Sequence, residues 1–318
     1  MKIRIIISLA LLCAIFGPFH EVTGEPKGSD NESLQFIVIG DWGTPGSEGQ
    51  KLVAAQMEIL AATTPIDFIV TTGDNFYYEG VISVDDPLWR STFENIYSQA
   101  ALKDIPWYVT LGNHDYRGNI YAQIEYGKTH QNWILPHSYY SRDFRIDEQT
   151  EVRILFLDTN PFLEEYESRP DIYHHIEEQD TGAQNSWMYN ALNDSNVVWR
   201  IAIGHHPVYS VGYHGGTTAL KNVLPKLFEQ QKVQAYFAGH DHHLEHYKLT
   251  GRTNYFISGG GSRVRIVPNS KYSEFALSSL GFAHVELDNT CMQVRFINEK
   301  GEELYKTRQS FDNGTQCQ

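Results

Sequence analysis

Five short segments of this chain join glycine to carboxylate, amide or imidazole side chains. They are Gly40-Asp41-Trp42-Gly43, Gly73-Asp74-Asn75, Gly112-Asn113-His114-Asp115, Gly204-His205-His206 and Gly239-His240-Asp241-His242. Glycine permits a tight turn or a close approach of backbone to a ligand. Asp41, Asp74, Asn113, His205, His240 and His242 offer oxygen and imidazole nitrogen, and Tyr77 stands three residues past Asp74. Such donors suit borderline or hard first-row ions, and the lack of thiolate among them argues against a Cys-type zinc site. Six or seven ligands are too many for one tetrahedral ion but fit two ions sharing a carboxylate. A bridged pair about 3.5–4 Å apart activates water and clamps both oxygens of an in-line phosphoryl displacement. One Gly-Asp is usually a turn, and one buried histidine is usually a satisfied core residue. Five such clusters in succession point to a metal centre.

Apolar runs must carry these clusters. Residues 35–40, 68–72, 107–111, 153–157, 200–203 and 235–238 read as buried strands, and five of the six end in the clusters above. Ligands in open α/β sheets gather outside the carboxyl ends of strands, so groups distant in sequence converge there. Ser47 and Gln50 resemble a capping box opening a helix through about Ala62. Residues 218–231 offer another helix, with Leu220, Val223, Leu224, Leu227 and Phe228 on one face and Pro225 predicting a bend. Residues 255–258, 283–287, 293–297 and 302–306 read as further strands, the last two joined by a turn at 298–301. The expected architecture is one α/β domain with two packed mixed β-sheets flanked by helices.

The first 24 residues read differently. Lys2 and Arg4 precede an apolar run over 5–16, broken by Gly17 and Pro18, which is the pattern of a signal peptide. The run falls short of the roughly 20 apolar residues of a membrane anchor. Residues 25–318 are then the single domain, with no stable membrane anchor expected. Net charge is −14, and no basic cluster appears, which disfavours nucleic acid as a partner. An anionic substrate stays possible where bound cations reverse the local sign. Cys13 belongs to the leader, which leaves Cys291 and Cys317 able to pair in an oxidising compartment. Sequons at Asn31, Asn193 and Asn313 fit surface glycosylation. A secreted or vesicle-lumen protein is expected, or a periplasmic one if the source is bacterial.

The order Asp-x-Gly, Gly-Asp-x-x-Tyr, Gly-Asn-His-Asp, Gly-His and Gly-His-x-His resembles the purple acid phosphatases of the calcineurin-like metallophosphoesterases. Gly-Asp-Trp-Gly, Gly-Asp-Asn-Phe-Tyr and Tyr213-His214-Gly215 look most like the small tartrate-resistant (type 5) group. The resemblance runs from about Phe36 to about Lys306 and implies a four-layer αββα sandwich. It implies a ferric ion on Asp41, Asp74, Tyr77 and His242. A second, divalent ion (Fe, Zn or Mn) would share Asp74 and rest on Asn113, His205 and His240. Carboxylates and phenolate are hard anionic ligands for the trivalent ion, and neutral amide and imidazole suit the divalent one.

The resemblance also gives His114 and His214 a catalytic role, orienting phosphate and protonating the departing alkoxide, work suited to imidazole. It implies an acid phosphatase acting on small phosphomonoesters or phosphoproteins by in-line attack of metal-bound hydroxide, and a monomer is expected. Asp115 is expected to orient His114 or its loop. His174-His175, in the acidic stretch 164–180, reads as part of a surface loop. Two positions depart from the pattern: the strand before His205 reads Ala202-Ile203-Gly204, and His206 stands where many relatives carry tyrosine. A phosphodiesterase or nucleotide hydrolase is the alternative enzyme, and a non-catalytic scaffold relative is the alternative from another class.

Overall fold

The computed structural model describes residues 33–268, 270–312 and 317. The expected leader and the sequons at Asn31 and Asn313 lie outside the described residues. Fourteen strands follow in chain order: β1 (Leu34–Ile39), β2 (Phe68–Thr71), β3 (Trp107–Tyr108), β4 (Trp133–Ile134), β5 (Tyr140–Arg145), β6 (Glu151–Phe156), β7 (Val197–Ile203), β8 (Ala235–Ala238), β9 (Leu244–Lys248), β10 (Asn254–Ser258), β11 (Phe275–Leu277), β12 (Gly281–Leu287), β13 (Cys291–Asn298) and β14 (Glu303–Ser310). They form two seven-stranded sheets, ordered β14-β13-β12-β1-β2-β3-β4 and β11-β9-β10-β8-β7-β6-β5. In the first sheet the parallel strands β1-β2-β3-β4 run to one edge, with antiparallel strands on the other side, and in the second the parallel strands β6-β7-β8-β10 lie at the centre, with antiparallel strands on both sides. Both sheets are therefore mixed, as expected.

The alternation of side chains along the strands explains the layering. On β6, Val152, Ile154 and Phe156 join the core between the sheets, while Leu155 turns to a second core on the far side. On β8, Ala235 and Phe237 face inward, and Tyr236 and Ala238 face outward. Between the sheets Phe68 stacks on Phe144, with ring centroids 4.4 Å apart, and Tyr108 on Phe156 at 5.7 Å. The outer core takes Met188 and Leu192 from a helix over Thr181–Leu192, and Leu220, Leu224 and Phe228 from one over Thr218–Gln230. Strands covered on both faces must be apolar throughout, which is why they read as short continuous runs.

Details of the expected elements differ. The helix Glu48–Thr63 starts where Ser47 predicts, and the Ser47 hydroxyl accepts from the Gln50 N–H. The Gln50 side chain does not complete the box; it is buried and donates to the Thr92 carbonyl instead. The helix Thr218–Gln230 runs through Pro225 without interruption. The final strand extends to Ser310, past the expected 306. Beyond it Cys317 is disulfide-bonded to Cys291, with Cα atoms 5.5 Å apart. Stretch 164–180 is not a plain surface loop. It winds through short helical turns at Glu164–Glu167 and Ile176–Glu178 and buries Tyr166, Tyr173 and Ile176.

Candidate metal centre

The clusters after β1, β2, β7 and β8, and the one that follows Leu111 in the path of β3, meet at the carboxyl ends of the parallel strands of both sheets. Asp41, Asp74 and His240 take left-handed backbone, with φ of 57°, 53° and 66°. Non-glycine residues rarely adopt this conformation, and it gathers at functional sites. Here it turns each side chain back across the strand end. Two neighbouring glycines allow the carboxylates their positions. A Cβ on Gly112 would collide with the Asp74 carboxylate, and one on Gly239 with that of Asp41.

The donors fall into two groups. In one, the Tyr77 hydroxyl lies 3.0 Å from Asp41 Oδ1 and 3.1 Å from His242 Nε2. In the other, Asn113 Oδ1 lies 3.0 Å from His205 Nε2 and 3.1 Å from His240 Nδ1, and those two nitrogens are 3.2 Å apart. Asp74 stands between them: its Oδ1 is 3.4 Å from His205 Nε2, and its charge also acts on the Tyr77 phenol. The structure thus brings together all seven sequence-derived ligand candidates.

The surroundings orient these groups. His205 Nδ1 lies 2.9 Å from the Thr72 carbonyl and donates to it, which leaves the Nε2 lone pair facing Asn113. Asp41 Oδ2 accepts the His240 N–H at 2.9 Å, leaving Oδ1 toward Tyr77. Burial, reinforced by the nearby rings of His206, His205 and His214, holds the His240 pKa well below its usual value. His240 Nδ1, His205 Nε2 and the Asn113 oxygen then converge on the same spot. Burial and the Asp41 and Asp74 carboxylates push the Tyr77 phenol well above its usual range. Buried lone pairs crowded without donors are costly, and cations relieve that cost. The donor set fits two metal ions on this ground.

His206 lies in the same cluster, its ligand-type nitrogen within 4.8 Å of those of His205 and His240. Both of its ring nitrogens are engaged elsewhere, Nδ1 at 2.8 Å from Thr159 Oγ1 and Nε2 at 3.2 Å from the Tyr166 hydroxyl. It braces the site against stretch 164–180 rather than offering a free lone pair.

His114 and His214 flank the donors. The His114 ring packs on Tyr77 at 4.4 Å, and its Nδ1 lies 2.7 Å from the Tyr78 carbonyl, to which it donates. Its Nε2 therefore faces the centre, 4.0 Å from Asp74 Oδ2. The His214 ring packs on His240 at 4.2 Å, and its Nε2 accepts from Arg265 Nη1 at 2.8 Å.

Asp115 takes the second of the two roles expected of it and holds its loop, accepting the N–H groups of Gly112 at 2.8 Å and Asn75 at 3.1 Å. Burial and the Asp74 charge push its carboxyl up to about 7. Asp241 accepts the His214 N–H at 2.8 Å and the Ser210 hydroxyl at 2.5 Å, fixing the loop that carries His214. Asp158, after β6, accepts from the Tyr116 hydroxyl and is pushed up to about 6 by burial. Its strand end, Leu157-Asp158-Thr159, carries no glycine and so gave no signal.

Comparison with known proteins agrees with this geometry. Residues 34–244 match the calcineurin-like phosphoesterase family. The chain is 35% identical to tartrate-resistant acid phosphatase type 5 of Oryctolagus cuniculus, over 87% of this chain and 90% of that protein. It is 34% identical to purple acid phosphatase 7 of Arabidopsis thaliana, covering 88% of this chain and 87% of that protein. Among solved structures it is similar to GAP50, the anchor in the inner membrane complex of Plasmodium, with TM-score 0.76, 27% identity, and coverage of 87% and 89%. Identity at this level over nearly the whole length of two named acid phosphatases reaches beyond a shared fold. The chain belongs to the purple acid phosphatases, metal-dependent phosphatases of the calcineurin-like phosphoesterase family.

Proposed function

We propose that the chain hydrolyses phosphate monoesters at a dinuclear centre, with Fe(III) on Asp41, Asp74, Tyr77 and His242 and a divalent Fe, Zn or Mn ion on Asp74, Asn113, His205 and His240. The observation that carries this reading is the pair of donor groups with Asp74 between them. Phenolate and carboxylates on one side and neutral amide and imidazoles on the other favour unlike ions. Bound there, the ions supply activated water and offset the charge of the phosphate dianion.

The protein's own groups hold and protonate the ester. His114 Nδ1 is committed to the Tyr78 carbonyl, so Nε2 is the atom that would carry a proton to the departing alcohol oxygen. His214, fixed by Asp241 and by Arg265, would orient the phosphate. Small phosphomonoesters or phosphoproteins are the proposed substrates.

The Cys291–Cys317 bond supports secretion or residence in a vesicle lumen. No helix among the described residues is long and apolar enough to cross a membrane. Likeness to the Plasmodium anchor raises the scaffold alternative, but the complete donor set favours the enzyme.

Metal analysis and the visible spectrum of purified protein test the centre, alongside turnover of a monoester and a diester of one chromogenic alcohol. Two ions per chain, a purple charge-transfer band and faster monoester turnover are expected. One ion or none would overturn the dinuclear reading, and faster diester turnover would favour the phosphodiesterase.

A further inference from the structure

The segment after β10 leaves the metal centre and returns two arginines to its rim. Its root is fixed to the site: Ser262 Oγ donates to the Asp41 carbonyl at 2.5 Å, and the Arg265 N–H donates to the His242 carbonyl at 2.8 Å. Arg263 and Arg265 are both exposed and reach opposite flanks of the centre. The Arg263 guanidinium lies over the Tyr78 ring at 5.0 Å and donates to the Tyr78 hydroxyl, and the Tyr78 carbonyl in turn accepts from His114. The Arg265 guanidinium lies over the Tyr213 ring at 4.6 Å and donates to His214 Nε2. Each flank thus ends in an arginine stacked on a tyrosine, next to one of the two histidines proposed to handle the substrate.

We propose that Arg263 and Arg265 form a specificity element selecting phosphomonoesters whose leaving group carries a second anionic group. This rests on the phosphatase reading above and names the substrate class of the same site. Rings stand between each guanidinium and the donor groups: on one flank Tyr78 and then His114, which packs on Tyr77 at 4.4 Å, and on the other His214, which packs on His240 at 4.2 Å. The arginines therefore lie outward of the phosphate to be transferred, where the alcohol part of the ester must project. Among the described residues neither forms an ion pair with a carboxylate, in a chain whose net charge is −14. A planar guanidinium with spare N–H groups matches a carboxylate or phosphate, and stacking on tyrosine keeps it in place. With the transferred phosphate at the metal centre, the second anionic group on the leaving alcohol can meet the arginine of either flank.

The test compares 3-carboxyphenyl phosphate with 3-carbamoylphenyl phosphate, esters of similar size that differ in one charge. The metal-loaded wild type should favour the carboxylate by about three- to fivefold in kcat/KM, the upper scale of exposed charge pairs. The preference should shrink as ionic strength rises. In the Arg263→Gln, Arg265→Gln double variant the ratio should approach one. Because Arg265 also touches His214, the ratio is the readout, since a general loss of turnover cancels in it. The double lysine variant should keep part of the preference. A wild-type ratio of one or less, or an unchanged ratio in the glutamine variant, overturns the proposal while leaving the phosphatase reading intact. Failure of the wild type to hydrolyse either ester sinks the phosphatase reading and this proposal with it.

Discussion

Asp41, at the end of β1, accepts the backbone N–H of His240, at the end of β8, at 2.9 Å across 199 positions of sequence. The bond joins one sheet to the other through a carboxylate that is also a candidate metal ligand. Asp41 can therefore take this position only after the two sheets have docked, and His240 is aimed by the same contact. Each donor group draws on both sheets: Tyr77 and His242 meet in one, Asn113 and His205 in the other. The metal centre is a property of the sheet interface rather than of any single strand.

Asp74 alone belongs to both donor groups, so its loss should disturb both ions. Asp74→Ala is expected to reduce bound metal from two ions toward none and to lower kcat by about a thousandfold or more, on the scale of lost charge stabilisation in an active site. Metal analysis of the purified variant, beside its turnover, checks this. Two ions with normal activity would show that the groups do not share this carboxylate.

Tyr77 should reveal itself by colour. Burial and two carboxylates hold its phenol protonated in the metal-free chain, so only a strongly charged cation would ionise it. Tyr77→Phe is expected to remove the visible band of a ferric phenolate while keeping part of the turnover. Tyr78→Phe should keep the band, because Tyr78 is half exposed and bonds Arg263 instead. A band that survives in the first variant and vanishes in the second would exchange their roles.

The convergence of the seven candidate ligands was legible because most stand beside glycine at the end of an apolar run, a local signal. The two sheets were legible for the same reason, since covered strands are short and wholly apolar. What the motifs left hidden depends on tertiary path. Arg263 reaches Tyr78 over 185 positions, and nothing near either residue in sequence announces the contact. Gln50 looked like half of a capping box, yet the buried Thr92 carbonyl offered its amide a better partner. The acidic stretch 164–180 looked solvated, but Tyr166, Tyr173 and Ile176 give it an inner face that seals against His206.

Asp241 separates positioning from metal binding. It lies between His240 and His242 in sequence, yet its carboxylate points to the His214 loop. Asp241→Ala should loosen that loop and lower kcat about tenfold or more, consistent with roughly 1–3 kcal/mol for a buried hydrogen bond to a charged group. Two ions should remain bound. Asp241→Asn, which keeps an oxygen for the His214 N–H, should restore much of the rate. Loss of metal in both variants would instead mark Asp241 as part of the ligand scaffold.

His284 sets a stability limit on the acid side, far from the metals in sequence and in role. It lies in β12, buried, with Nδ1 2.5 Å from Arg295 Nη2 and Nε2 without a partner. Burial, aided by the Arg295 charge, lowers its pKa from the ordinary 6.5 to about 3. Below pH 6.5 the unfolded chain gains a proton that the native histidine refuses. This group's contribution to stability is therefore full above pH 6.5 and is lost progressively as pH falls toward 3, by up to about 1.4 kcal/mol per pH unit. His284→Asn keeps an acceptor near Arg295 and removes the titrating ring. Its denaturant midpoint should fall less steeply than that of the wild type between about pH 6.5 and 4, even if the smaller side chain costs stability at about pH 7. Parallel pH profiles for the two proteins would show that His284 titrates normally and that the acid limit lies elsewhere.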